Sequence, residues 1–272
     1  LKQITILLLC IYMHTTATAQ TTWILPTKYL AQPDSVLIFT PQHYTPAQHY
    51  PLVYLLHGYS ENYLQWSRTT DLQALSNRYN AIIVCPEGGV TYYVNAAARN
   101  GAAYEDFFFK DLVPAVHAAY TIDTNNIFIS GLSMGGYGAL RYFILHPDYF
   151  NTAASTSGAL QPAFSFYQQV SQHFWQSNRL TNDMTLALGQ PGHTNWQEYR
   201  ITTLLQQHPL HRPFLIDCGS ADILLPDTQA LQALATQLQL PATCITQPGD
   251  HNTAYWHTAI EYHFLYFQQH LR

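Results

Sequence analysis

Ile127-Phe128-Ile129-Ser130-Gly131-Leu132-Ser133-Met134-Gly135-Gly136-Tyr137-Gly138 joins an apolar, β-branched run to a segment of helical period through a turn of glycine and serine. Ile127 to Ser130 reads as a buried strand, and Met134 to Leu145 as a helix closed by His146-Pro147. Between them Gly131-Leu132-Ser133-Met134-Gly135 fits the pattern G-x-S-x-G in its required strand–turn–helix setting. The glycines have a mechanical reason: a Cβ at 131 or 135 would clash in so tight a turn. Ser133 Oγ is then expected to point out of the turn, with the positive end of the following helix facing any negative charge that develops there. Ser133 is the candidate nucleophile.

Outward from this unit, strands and helices alternate. Ser35 to Thr40 and Leu52 to Leu56 are short apolar runs, Asp71 to Tyr79 has helical period, and Ala81 to Cys85 is an apolar strand ending at Pro86. Glu105 to Tyr120 reads as a helix with Phe108, Leu112, Val116 and Ala119 on one face, and Pro114 inside it predicts a bend or a shorter first segment. Thr152 to Ser157 is the next strand. From about Gly158 to Arg212 the rhythm breaks: the stretch is rich in Gln and aromatics, and helices such as Trp196 to Gln206 have no neighbouring strand. Alternation resumes with strand Phe214 to Cys218, a helix carrying Leu231, Leu234 and Leu238, strand Ala242 to Thr246, and a last helix with Trp256, Ile260, Phe264 and Phe267 on one face. Repeated β-then-α units predict a mostly parallel central sheet with helices on both faces. The expected organisation is a single catalytic domain over 20–272 with a cap inserted at about 158–212.

A serine hydroxyl is a poor nucleophile at neutral pH and needs a base. In this setting the partners follow in the order Ser, acid, His. Asp222 follows strand Phe214 to Cys218 through Gly219-Ser220-Ala221, and His251 follows strand Ala242 to Thr246 through Gln247-Pro248-Gly249-Asp250. Both are expected on loops at the carboxyl ends of strands, where open α/β sheets place their sites. Among 14 histidines, His251 stands apart by this loop position, whereas His257 and His263 fall within the last helix and His146 at a helix end. Of the other acids, Asp217 falls in a strand, Asp227 in the first turn of a helix, and Asp250 too near His251 to reach its ring across the loop. The expected oxyanion donors are the backbone N–H groups of Met134, after the nucleophile, and of Tyr59, in the loop His57-Gly58-Tyr59 that follows Leu52 to Leu56. His57 is expected to brace that loop. The chemistry calls for no cofactor and no metal.

The 272 residues are 47% hydrophobic and only 10% charged, with a net charge of −5 and no Lys/Arg cluster, which gives no field for nucleic acid. At the start, Lys2, the apolar run Ile4 to Tyr12 and Ala17-Thr18-Ala19 read as a signal peptide over 1–19, with a mature start near Gln20 and a secreted or periplasmic protein. Cys10 follows bulky Leu9, which argues against a lipidation site. No later segment approaches the length of a membrane span. Cys85, Cys218 and Cys244 each lie in a strand-like run; buried free thiols are expected, a Cys218–Cys244 bridge being the alternative.

Taken together, Tyr54-Leu55-Leu56-His57-Gly58-Tyr59, Trp66, Gly131-Leu132-Ser133-Met134-Gly135-Gly136-Tyr137-Gly138, Cys218-Gly219-Ser220-Ala221-Asp222 and Gly249-Asp250-His251 resemble the esterase D family of α/β-hydrolases. That family includes S-formylglutathione hydrolases, feruloyl and acetyl xylan esterases, tributyrin esterases and antigen 85-type mycolyltransferases. The resemblance runs from about Thr27 to the last helix. It implies the α/β-hydrolase fold, Ser133, Asp222 and His251 as catalytic triad, and Tyr59 and Met134 as oxyanion donors. The last loop departs from it, reading Gly-Asp-His-Asn where many members have Gly-Gly-His-Thr. The expected function is an exported serine carboxylesterase acting on a small-molecule or carbohydrate ester through an acyl-serine intermediate. An acyltransferase with the same triad and a non-catalytic carbohydrate-binding relative are the alternatives. Six aromatics of the cap, Phe164, Phe166, Tyr167, Phe174, Trp175 and Trp196, are expected mostly to pack inward, with one or two walling the substrate pocket.

Overall fold

The computed structural model describes residues 20–97 and 102–272; the signal-peptide expectation for 1–19 lies outside them. Eight strands form one sheet: β1 (Gln20–Leu25), β2 (Asp34–Phe39), β3 (Tyr50–Leu56), β4 (Ile82–Pro86), β5 (Ile122–Leu132), β6 (Thr152–Thr156), β7 (Phe214–Gly219) and β8 (Ala242–Gln247), in the order β1-β2-β4-β3-β5-β6-β7-β8. β2 pairs antiparallel with both β1 and β4, and the six strands from β4 to β8 are parallel. This is the mostly parallel α/β sheet that the alternation predicts.

The helices are α1 (Gln65–Thr69), α2 (Leu72–Tyr79), α3 (Tyr104–Phe107), α4 (Val113–Ala119), α5 (Met134–Leu145), α6 (Phe164–Trp175), α7 (Arg179–Leu188), α8 (Ile201–Gln207), α9 (Leu225–Gln237) and α10 (Thr253–Gln269). Period-two alternation divides the core between the sheet's faces. Leu52, Tyr54 and Leu56 of β3 join a cluster with Phe107, Leu140 and Leu231, while Val53 and Leu55 join Leu72, Ile260, Phe264 and Phe267 on the other side. α2 and α10 therefore cover one face, and α3, α4, α5 and α9 the other. Among the described residues, no helix is long and apolar enough to cross a membrane.

Four expectations are corrected in detail. β1 has no counterpart in the sequence reading; it is an edge strand whose residues alternate between exposed and half-buried, so it lacks an apolar run. β5 begins at Ile122, because its first half carries polar Asp123, Thr124 and Asn125. The helix expected over 105–120 runs unbroken from Tyr104 to Ala119 but is not uniform: α3 passes through a π-helical turn at Phe108–Leu112 into α4, with Pro114 in the first turn of α4. Proline has no N–H to give the preceding turn and its ring crowds that turn's carbonyl, and the wider π turn just ahead of it absorbs the mismatch. Finally, α8 packs on α5 and α9 and buries Ile201, Leu204 and Leu205. It is part of the layer over the sheet, so the excursion between β6 and the covering layer holds α6, α7 and the 3₁₀ turn Trp196–Tyr199. The three cysteines are free; Cys244 stands opposite Ile216 and Cys218 opposite Thr246, not opposite each other.

Candidate active site

Every expected site residue lies just beyond the carboxyl end of a parallel strand. Ser133 follows β5 with φ +53° and ψ −116°, a conformation that costs a non-glycine residue about 1–3 kcal/mol. The turn is held against that cost by Ser133 N–H donating to Thr156 O at 3.0 Å, and by its own carbonyl accepting from Tyr137 N–H at 3.2 Å and Ala159 N–H at 3.0 Å. The flanking glycines are required by close approach: a Cβ on Gly131 would collide with the Gly135 carbonyl, and one on Gly135 with the Leu56 carbonyl. The turn is thereby wedged against the end of β3.

His251 sits in the loop between β8 and α10. Asn252, the next residue, caps α10 by accepting from Tyr255 N–H at 3.1 Å, so the histidine is fixed one residue before a helix start. Its Nε2 lies 3.1 Å from Ser133 Oγ, and its Nδ1 lies 3.0 Å from each Asp222 carboxylate oxygen. A carboxylate only accepts, so Nδ1 carries the proton and Nε2 is left to accept from the serine hydroxyl. Burial pushes the Asp222 carboxyl up, but hydrogen bonds from His251, the Ser157 hydroxyl and Leu224 N–H together hold it below the usual carboxylate range. It is therefore ionised at neutral pH. Asp250 instead accepts the backbone N–H of His251 at 2.7 Å, on the exposed side of the loop.

The loop His57-Gly58-Tyr59 is braced from several directions. Gly58 N–H donates to Gln65 Oε1 at 2.7 Å. Gly88 N–H donates to His57 Nε2 at 2.6 Å, which leaves Nδ1–H to donate to Gly58 O at 2.8 Å. The Gly58–Tyr59 peptide is planar and trans, so fixing its oxygen on one side aims Tyr59 N–H to the other. A Cβ on Gly58 would lie 3.5 Å from Ser133 Cβ, which places this peptide beside Ser133. Neither Tyr59 N–H nor Met134 N–H donates to an acceptor among the described residues; Met134 opens α5, where the first N–H groups have no helical partner.

These groups meet at a cavity of about 280 Å³ whose walls include Ser133, His251, Tyr59, Trp256, Leu132 and Leu224, with Tyr167, Val170, Phe174, Trp175 and Leu180 from the excursion after β6. Three of the six aromatics thus line it, one more than expected at most. Phe174 lies 5.4 Å from the His251 ring, and Trp256 meets that ring edge-on at 5.1 Å. Trp196 packs inward against Phe164 at 5.6 Å and donates its indole N–H to Gly189 O.

Residues 27–267 match the family described as "Putative esterase". The chain belongs to the esterase family. Its sequence is 25% identical over 215 residues to an acetyl esterase of Caldicellulosiruptor saccharolyticus, covering 76% of this chain and 79% of that enzyme. It is 27% identical over 198 residues to an S-formylglutathione hydrolase of Arabidopsis thaliana, covering 66% of this chain and 62% of that protein. In fold it is similar to FphF, a fluorophosphonate-binding serine hydrolase of Staphylococcus aureus, with a TM-score of 0.76 at 21% identity over 92% of this chain and 97% of that one. The esterase is thus a carboxylic ester hydrolase on an α/β-hydrolase fold, in agreement with the resemblance in its motifs.

The esterase also contains a second Ser–His–Asp line. Ser130 Oγ lies 2.7 Å from His263 Nδ1, and His263 Nε2 lies 2.6 Å from Asp217 Oδ2, whose other oxygen accepts from Thr156 Oγ1 at 2.6 Å. His263 and Asp217 side chains are fully buried, so the same residue types here tie β5, β6, β7 and α10 together with no room for a substrate. Ser157 was missed by sequence reasoning. It is buried with φ +49°, its Oγ accepts from Trp256 Nε1 at 3.2 Å, and its hydroxyl serves Asp222. As the residue just after β6, in a run of small Thr, Ala and Ser residues, it carries no mark in the sequence. Asp183 and Arg179, which contact Tyr59 and Ser60, were equally silent.

Proposed function

We propose that this esterase cleaves carboxylic esters through an acyl-Ser133 intermediate. The unbroken hydrogen-bond line Ser133–His251–Asp222, opening on the cavity, carries the reading. His251 Nε2 takes the Ser133 proton as Oγ attacks the ester carbonyl, and Asp222 stabilises the imidazolium that forms. The carbonyl oxygen, now negative, is held by the N–H groups of Tyr59 and Met134. The tetrahedral adduct collapses, His251 returns its proton to the leaving alcohol, and water repeats the sequence on the acyl-enzyme.

The proposed substrates are small acyl esters, with a carbohydrate as the alcohol. The similarity to an acetyl esterase over most of that enzyme's length supports a short acyl group. Half-buried Trp175 and exposed Phe174 at the cavity supply apolar faces on which a sugar ring can stack. The Lys2 to Ala19 pattern supports export.

Ser133→Ala should lower kcat on p-nitrophenyl acetate by a factor on the order of 10⁶ while the melting temperature holds. A fluorophosphonate should label Ser133 in the native protein. A folded Ser133→Ala with near-wild-type turnover would remove the reading. Rates on p-nitrophenyl acetate, butyrate and octanoate, methyl ferulate and acetylated xylan test the substrate class; preference for octanoate with no release of acetate from xylan would refute it. A mature N-terminus near Gln20, seen by mass spectrometry of protein from its native host, tests export; a cytoplasmic protein retaining residues 1–19 would oppose it.

A further inference from the structure

Tyr59 contributes more to this site than its backbone. Its side chain leaves the oxyanion loop and crosses to α7, where its hydroxyl donates to Asp183 Oδ2 at 2.5 Å. Trp175 meets the Tyr59 ring edge-on at 5.0 Å, and the Arg179 guanidinium lies 5.6 Å over that ring and 5.6 Å over the ring of Trp175. Arg179 Nη2 also donates to Ser60 Oγ at 3.0 Å. Arg179 and Asp183 are four residues apart on α7 and so share one face of it. That face therefore grips two consecutive loop residues. The second of them, Ser60, has φ +66°, a backbone state that persists in a non-glycine residue when its surroundings hold it there.

The two ends of the loop are fixed by different parts of the chain. His57 and Glu61 N–H in the β3–α1 connection, with Gln65 at the start of α1, hold the Gly58 end. The Tyr59–Ser60 end is gripped by α7, from the excursion that also walls the cavity. Burial, and then the bond to Asp183, push the Tyr59 hydroxyl up to about 12, so it remains a donor through neutral and moderately alkaline pH.

We propose that Asp183 and Arg179 are positioning residues, which act through the Tyr59 side chain and Ser60 to hold Tyr59 N–H at the oxyanion. The proposal rests on the reading of Ser133 as nucleophile and Tyr59 N–H as donor. An oxyanion donor is felt most when the carbonyl oxygen has become negative, so loosening its aim costs the transition state more than the bound ester. The expected signature is a loss in kcat with little change in KM.

The test is kcat and KM on p-nitrophenyl acetate, with melting temperatures, for Tyr59→Phe, Asp183→Ala, Asp183→Asn and the double variant Tyr59→Phe/Asp183→Ala. Each of Tyr59→Phe and Asp183→Ala should lower kcat about tenfold, a part of the 10²–10³ lost when a donor is removed outright. KM should stay within about twofold. The double variant should be no worse than either single one, since both break the same bond. Asp183→Asn keeps an acceptor and should recover most of kcat. Tyr59→Phe retains the packed ring, so it carries the test even if Asp183→Ala is unstable. The proposal is overturned if folded Tyr59→Phe keeps wild-type kcat, if the losses add, or if they fall on KM alone. Ser133→Ala run alongside separates the two readings. If Ser133→Ala is inactive and Tyr59→Phe is unimpaired, the clasp fails and the nucleophile stands. If Ser133→Ala turns over like the wild type, both fail.

Discussion

Two aspartates lie beside His251, and hydrogen-bond geometry alone separates them. Asp222 presents both oxygens to Nδ1 from a buried position, while Asp250 reaches the backbone N–H of the histidine from an exposed one. Replacing Asp222 with Asn puts an amide NH₂ where an acceptor is needed, which favours the tautomer with its proton on Nε2 and leaves that atom unable to accept from Ser133. Asp222→Asn should therefore lower kcat by a factor on the order of 10³–10⁴. Asp250→Asn keeps an acceptor for the backbone N–H, and its loss should stay within about threefold. Steady-state kinetics of the two variants on one ester decide it, and the reverse ranking would make Asp250 the acid. The sequence already separated these residues, because Asp222 and His251 each follow an apolar strand by a short loop. It could not show that the Asp222 carboxylate is also served by Ser157, whose hydroxyl is indistinguishable in sequence from any other at a strand end. Nor could it show that Ser130, His263 and Asp217 assemble a second line, since only burial tells that one from a catalytic array.

At the scale of elements, the segment after β6 divides by the direction its side chains face. Tyr167 is anchored, its hydroxyl donating to Asp227 at 2.9 Å, and Trp196 is packed and hydrogen-bonded. Phe174 is 38% exposed and leans on His251. Tyr167→Ala and Trp196→Ala should each cost about 3–5 kcal/mol of stability, as truncation of a buried aromatic does. Phe174→Ala should leave the melting temperature nearly unchanged and alter the ratio of rates on acetate, butyrate and ferulate esters. If Phe174→Ala keeps the wild-type ratios, specificity belongs to the loops bearing Tyr59 and His251. The outcome of the sequence reading follows from the same physics. Elements buried on both faces, such as β3 and β4, are largely apolar runs and were legible, as was the glycine-flanked turn at Ser133. β1 and the first half of β5 are half-exposed and polar, so no run marks them. The irregularity at Phe108–Leu112 was signalled by Pro114, but whether a proline bends, shortens or widens the helix depends on packing around it. α8 reads as part of the insertion because it lacks its own strand, yet its apolar face fits α5 and α9. The clasp from Asp183 to Tyr59 joins residues 124 positions apart and has no local signal.

Across the whole molecule, the antiparallel edge of the sheet is tied to the His57-Gly58-Tyr59 loop through two consecutive backbone groups. Glu87 N–H donates to Asp34 Oδ1 at 3.1 Å, and Gly88 N–H donates to His57 Nε2, whose ring holds Gly58 O. Asp34 opens β2 and is 2% exposed, and its Oδ2 has no hydrogen-bond partner among the described residues. Burial pushes its carboxyl up to about 8; the Glu87 N–H opposes this, and the Glu87 carboxylate adds to it. Asp227 is shifted in the same direction, to about 6, by burial against the bonds from Gln161 N–H and Tyr167. Both pKa values are higher in the folded state than in the unfolded chain, where an aspartate stays near 3.8. The folded protein therefore holds these protons more tightly, and the stability they contribute is complete below about pH 4. It declines as pH rises through about 6 for Asp227 and about 8 for Asp34. Asp222 runs the other way: its lowered carboxyl contributes stability above the ordinary aspartate range that is lost on acidification. The expected melting temperature is highest in mildly acidic solution and falls between pH 5 and about 8.5. Asp34→Asn keeps an acceptor for Glu87 N–H and removes the ionisation, so it should flatten the alkaline part of that decline. It should also melt higher than the wild type at pH 8.5, with the two proteins closer together at pH 5. Melting curves of both across this range test it. A wild-type melting temperature constant from pH 6 to 8.5, or an equal slope in the variant, would show that Asp34 is already ionised in the folded protein and that its unpartnered oxygen is satisfied by solvent.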